Sequence, residues 1–214
     1  MSRILELKNI WKVELLNKNF RLRAFLTFIF LGIALFWLAK FLPYNEIRPG
    51  FNLVDPFLIL FTAVNVTWLT FGLIYLALII AISSLGFHPE DMLLALQSYT
   101  VMALLRLSTI YFLPLNAPIG IIPLKDPFVE FFGGGQTLLR DLFFSGHTAT
   151  MFLFFLTSPT KKLKWIYLAC TVLVAGCVLV QHVHYTIDVI AAPVFAYTSY
   201  RVAQLVDIRI KNLK

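Results

Sequence analysis

"DLFFSGHTAT", residues 141–150, sets a carboxylate, hydroxyls and a histidine at the head of a greasy run that continues "MFLFFL" through residue 156. Polar groups carried toward hydrocarbon cost free energy unless they are paired or used. Whether this stretch heads a membrane span decides the fold. The rest of the chain answers: 59% of its 214 residues are hydrophobic and only 14% are charged, with a mean hydropathy of +0.82. A soluble domain carries about 25% charged residues. Crossing the hydrocarbon takes roughly 20 mostly apolar residues, and such runs lie at 24–42, 60–86, 93–113, 143–158, 165–182 and 186–205. The expectation is an all-α integral membrane protein, a bundle of six transmembrane helices. The fourth run is the shortest, and the second is long enough to tilt or to begin with an interfacial piece.

Before the first span, "MSRILELKNIWKVELLNKNFRLR" (1–23) mixes acids and bases with no apolar core. It reads as a cytosolic amphipathic segment lying against the bilayer and not as a cleaved signal peptide. The expected organisation is this segment, a membrane catalytic domain over 24–205, and a basic cytosolic tail over 206–214. Cys170 and Cys177 lie seven apart on one span, about 10 Å along a helix, which is too far for a disulfide.

The net charge of +7 matters through its placement. Arg3, Lys8, Lys12, Lys18, Arg21 and Arg23 precede the first span, Lys161, Lys162 and Lys164 join the fourth to the fifth, and Arg209, Lys211 and Lys214 follow the sixth. With six spans these segments share one side, which the positive-inside rule makes cytoplasmic, as are both termini. Basicity that flanks spans argues against a nucleic-acid partner. Two long connections, 41–56 and 113–141, then face outward. Their apolar content predicts a lid packed on the outer face of the bundle.

A second polar cluster, "HVHYTIDV" (182–189), falls at the outer end of the sixth span, as "DLFFSGHT" does at that of the fourth. Topology brings both to one membrane face, although the charge count never used a histidine. His184 and Asp188 are spaced i, i+4, so their side chains stack on one helix face. There the carboxylate fixes the imidazole tautomer and frees the other ring nitrogen as a nucleophile. His147, from another helix, would protonate a leaving oxygen. This set suits phosphoryl transfer through a phosphohistidine. Arg106, one of two charges well inside the expected spans, is a candidate for phosphate binding, with Asp141, Asp188 or a substrate phosphate as partner. Arg140 stands beside the first cluster. Other readings stay open: an i, i+4 pair that only stabilises a helix, three imidazoles that hold a metal, and a structural role for His182.

These residues together resemble the type-2 phosphatidic acid phosphatase superfamily, and within it the sphingomyelin synthase branch. The matching stretches are "LRLSTIYFLPLNAP" (105–118), "GGG" (133–135), "DLFFSGHT" (141–148), "TSP" (157–159) and "QHVHYTIDV" (181–189), with a weaker echo in "NLVDPF" (52–57). The chain departs from the branch at Leu139-Arg140, where the family has Cys-Gly, in a shorter step from "GGG" to "SGH", and at Pro193 in place of a tryptophan-rich ending. It lacks the Lys-x6-Arg-Pro motif of the plain phosphatases. The resemblance implies a six-helix phosphotransferase with His184 as nucleophile, Asp188 as its orienter and His147 as proton donor and later acceptor. Arg106, Asp141, Ser145, Tyr185 and Arg140 are the substrate-binding candidates. It implies a phospholipid donor bearing phosphocholine or phosphoethanolamine, a ceramide or diacylglycerol-like acceptor, membrane lipids as surroundings, and a site on the outer face. No metal or cofactor is required, and a homo-oligomer is compatible with it. A hydrolase of the same superfamily and a non-enzymatic lipid or ion carrier are the alternatives.

Overall fold

Where the apolar runs meet a polar stop, seven α-helices form among the residues described by the computed structural model, which are 2–125 and 137–212. They are α1 (Ser2–Leu16), α2 (Lys18–Ile47), α3 (Thr67–Leu85), α4 (Pro89–Phe112), α5 (Gly146–Thr157), α6 (Lys161–Val180) and α7 (Thr186–Asn212). The "GGG" stretch and much of the second long connection lie outside the described residues. Four helices, α2, α3, α4 and α6, are long and apolar enough to cross a membrane. Helix α5, with 12 residues, is about 18 Å long, short of a full crossing. Helix α7 has the length but mixes in Asp188, Arg201 and Asp207.

Local chemistry explains where the helix ends depart from the apolar runs. Asn17 breaks α1 from α2 in an extended conformation, and its side chain accepts the N–H groups of Asn19 and Phe20. The boundary expected at residue 23 therefore falls inside α2. The helix also runs through Pro43, because a proline near the end removes one bond only and Asn45 ties the last turn to the Arg140 carbonyl at 2.8 Å. Helix α3 starts at Thr67 and not at 60, since Val64 and Val66 donate their N–H groups to the Val180 carbonyl and the Gln181 side chain. Helix α5 starts at 146 and not at 143: the carbonyls of Phe143 and Phe144 are taken by Thr109 and Arg106 of α4. Helix α7 continues past 205 because Asp207 is ion-paired to Arg23.

The short α5 sits in the middle. Met151 joins Ala77, Ala81, Tyr167, Val174 and Val189 in one buried cluster, and Ala149 and Leu153 join Met102, Phe144, Ala192 and Ala196 in another. Alanines let the helix axes approach closely, and Phe144 stacks on Phe195 at 4.3 Å. From α2 onward the helices alternate between two ends. At one end the α1–α2 junction, the turn at 86–88 and the close of α7 meet. There Arg23, buried, binds Glu90 of α4 and Asp207 of α7, and the Trp11 indole donates to the Gly86 carbonyl. At the other end the connections 48–66 and 113–125 pack together: Phe51 and Leu115 pair as a parallel bridge, and Asn116 donates to the Gly50 carbonyl and the Asn52 side chain. Leu58, Leu115, Leu142 and Tyr185 form a small buried cluster beneath them. This second end holds both histidine stretches.

Candidate active site

Two helix starts build the site, and one backbone bond ties them: the Ser145 N–H donates to the Asp188 carbonyl at 3.1 Å. Ser145 caps α5, its hydroxyl accepting from the Thr148 N–H and lying 3.1 Å from the Thr148 hydroxyl. One residue into that helix comes His147. Asp188 lies in the first turn of α7, where its Oδ2 reaches back to accept the Tyr185 N–H at 3.1 Å, the acidic half of a capping box. The same oxygen lies 3.3 Å from His184 Nδ1. His184 and Asp188 are both buried.

With Nδ1–H donated to the carboxylate, the neutral His184 ring carries its lone pair on Nε2. The His147 ring faces it edge-on, 6.2 Å between centroids, and is half-buried. The opposite side of His147 meets the Phe71 ring at 6.5 Å. Residues 147, 184 and 188 are thus brought together as a buried imidazole–carboxylate pair with a second imidazole beside it.

Arg106 lies against the residues leading into α5. It bonds the Asp141 carboxylate at 2.5 Å, the Asp141 carbonyl at 3.2 Å and the Phe144 carbonyl, and sits over the Phe144 ring. Of the partners open in the sequence, Asp141 is the one it takes. Gly146 makes this approach feasible, because a Cβ there would lie 2.8 Å from Arg106 Nη1. Tyr185 is buried and donates its hydroxyl to the Asn116 carbonyl at 2.9 Å, and burial raises its phenol above the ordinary range. Arg140 does not join the histidines. Its guanidinium bonds the carbonyls of Leu115, Glu46 and Arg48, fastening the connections at this end to the end of α2. His182, two residues before His184, takes a different environment: it adopts φ 56°, and its Nδ1 lies 3.2 Å from the Ile119 carbonyl.

Two residues of the site carried little signal. Asp55, in "NLVDPF", accepts the Thr186 N–H at 2.6 Å and the Thr186 hydroxyl at 3.1 Å, so a carboxylate from a distant connection caps α7. Burial alone would raise its carboxyl, but the N–H groups of Thr186 and Phe57 and the Thr186 hydroxyl hold it below the ordinary carboxylate range. Gln181, fully buried, bonds Val66, Thr67 and Ile122, joining three segments at the root of the histidine turn. An Asp-Pro pair in a loop and a glutamine before a histidine are common, and only the fold gives them partners.

Residues 140–205 match the PAP2 superfamily C-terminal family. Phosphatidylcholine:ceramide cholinephosphotransferase 2 of Homo sapiens is 43% identical over 65 residues, which is 28% of this chain and 18% of the relative. The proteins of the same name from Macaca fascicularis and Rattus norvegicus are 42% and 40% identical over the same length. The chain thus spans less than a fifth of the length of these curated relatives. No solved structure matches it. His147, His184 and Asp188 all fall inside residues 140–205, the stretch similar to the PAP2 superfamily C-terminal family, and the chain resembles the sphingomyelin synthase branch of that superfamily.

Proposed function

We propose that the protein is a membrane lipid phosphotransferase working through a phosphohistidine. The observation that carries this reading is the buried His184–Asp188 pair with His147 facing it across 6.2 Å. His184 Nε2 attacks the phosphorus of a glycerophospholipid, and the bond from phosphorus to the diacylglycerol oxygen breaks. His147 in its protonated form gives that oxygen its proton, so diacylglycerol leaves neutral. His147 then takes the proton of an acceptor hydroxyl as that oxygen attacks the phosphorus, and the phosphorus–nitrogen bond breaks to free His184. Asp188 stabilises the cationic ring through both steps. The resemblance to cholinephosphotransferases supports a donor carrying phosphocholine or phosphoethanolamine and an acceptor such as ceramide or a diacylglycerol-like alcohol.

The positive-inside pattern supports a site facing away from the cytoplasm, with both termini cytoplasmic and α5 and α7 completing six passes. Helix α1, largely exposed and held to the α3–α4 turn through Trp11, fits an interfacial segment on the cytoplasmic surface.

The test uses purified protein in mixed micelles with phosphatidylcholine or phosphatidylethanolamine labelled in the headgroup, with and without ceramide, beside His184→Ala. The expected result is label on ceramide, lost in the variant. Label appearing only in water-soluble products makes the protein a hydrolase. No turnover and no acid-labile phosphohistidine overturns the reading in favour of a carrier.

A further inference from the structure

Beside the triad, a cavity of about 580 Å³ opens between the connections 53–63 and 118–122, with Asp55, Leu58, Phe61, Pro118, His182 and Tyr185 among its walls. Its size falls within the range of small-molecule sites. Its polarity is one-sided: among the described residues that line it, Asp55 is the one acid and there is no Lys or Arg. His182 adds to this. With Nδ1–H donated to the Ile119 carbonyl, the neutral ring has only acceptor capacity left on Nε2, and that atom is buried with no hydrogen-bond partner among the described residues. The Phe61 ring packs edge-on against His182 at 5.2 Å and Phe57 at 5.5 Å, so the cavity that Asp55 lines also has an aromatic wall. Gly120 lines the same cavity at φ 77°, a backbone conformation that favours glycine.

A second cavity of about 700 Å³ has the reverse character. It lies along α3, walled by Trp68, Phe71 and Tyr75, and the charge on its described lining is Lys125. The two cavities thus differ in charge, and each reaches a neighbour of one histidine: Phe71 of the second meets His147, and Tyr185 of the first adjoins His184.

We propose that the cavity beside Asp55 is the subsite for the cationic end of the lipid headgroup, an ammonium or trimethylammonium held by the Asp55 carboxylate and the Phe61 ring. A carboxylate with an aromatic face is the chemistry that selects such cations. The position is apt, because Asp55 bonds to Thr186, two residues from both His184 and Asp188. A cation seated at Asp55 is thereby held beside the turn that carries His184. A neutral glycerol or inositol headgroup gains nothing there. The inference rests on the phosphotransferase reading and names the part of the substrate that the site selects.

The test separates the two. In the full chain carrying His184→Ala, so that nothing turns over, phosphocholine and glycerol phosphate are titrated calorimetrically in detergent micelles. Phosphocholine is expected to bind about tenfold more tightly, and Asp55→Asn, which keeps an oxygen to cap α7, to reduce that preference to about twofold. Phe61→Leu, which touches no cap, is expected to reduce it about threefold. Equal binding of the two probes, or a preference unchanged by both variants, overturns the subsite. If Asp55→Asn does not fold, judged by elution and melting, Phe61→Leu alone decides. With His184 restored, Asp55→Asn is expected to raise KM for phosphatidylcholine and leave that for phosphatidylglycerol unchanged. Absence of any lipid turnover in the parent chain removes the phosphotransferase reading, while the calorimetry still decides whether the cavity selects cations.

Discussion

Each end of the bundle buries an arginine paired with acid, and the two are used differently. At the basic end Arg23 binds two side chains, Glu90 and Asp207, so its charge holds α2, α4 and α7 to one another. At the site end Arg106 binds one side chain, Asp141, and two carbonyls of the segment entering α5. Its charge holds backbone, and that backbone sets where the Ser145 cap and His147 stand. The first arrangement is about the fold. The second converts a buried charge into the placement of the proposed acid–base group, which on that proposal ties chemistry to stability at one end and leaves them separate at the other.

That contrast breaks most sharply at the triad. Asp188→Asn keeps an oxygen for the Tyr185 N–H and for His184 Nδ1 but removes the negative charge that stabilises the cationic ring; label transfer is expected to fall about 10²–10⁴-fold. Melting in the same micelles is expected to stay near the parent value, and a large drop in melting would make Asp188 a capping residue first. Next come the arginines. Arg106→Ala removes the charge and shifts the start of α5, for which we expect about 10²-fold lower transfer together with loss of stability. Arg23→Met removes the guanidinium from Glu90 and Asp207 and is expected to cost about 3–5 kcal/mol, with turnover of the folded fraction within about threefold of the parent. Equal losses of activity at both arginines would erase the distinction between the two ends. Gly146→Ala sharpens it: a Cβ 2.8 Å from Arg106 Nη1 must push the guanidinium off its carbonyls, so activity is expected to fall about tenfold for a cost of about 1–3 kcal/mol.

How much of this could be read from the chain follows from the range of each interaction. Apolar runs and an i, i+4 spacing are local, so the helical class, the His184–Asp188 pair and the common end shared by the two histidine stretches were legible. Helix ends were less so, because distant groups set them: Gln181 delays α3, Arg106 and Thr109 delay α5, and Arg23 prolongs α7 through Asp207. Arg140 shows the limit most clearly. Its neighbourhood in sequence suggested substrate binding, yet its donors go to carbonyls of Glu46 and Arg48 more than 90 residues away. Asp55 is the converse, a loop acid whose partner lies 131 positions on. No periodicity announces such a contact.

Asp55 also yields the smallest and most specific prediction. Its carboxyl titrates below the ordinary value of 3.8 because the Thr186 and Phe57 N–H groups favour the ionised form over the effect of burial. A folded-state pKa below that of the unfolded chain contributes stability that is complete above the unfolded value and fades as pH falls through the folded one. Melting of the parent chain followed from pH 6 to about pH 3 is therefore expected to show a drop that Asp55→Asn lacks, since the amide does not titrate. Other carboxylates protonate in the same window, so the difference between the two curves is the quantity that counts. The junction concerned belongs to the site end alone. Loosening the cap of α7 moves Thr186, and with it the turn that carries His184, whereas the Arg23 cluster lies at the far end of the helix. A matching pH-dependent fall in residual transfer, present in the parent and absent in Asp55→Asn, would place this cap in the same linkage of stability to chemistry that Arg106 makes for α5. Parallel melting curves for the two chains would confine that linkage to α5.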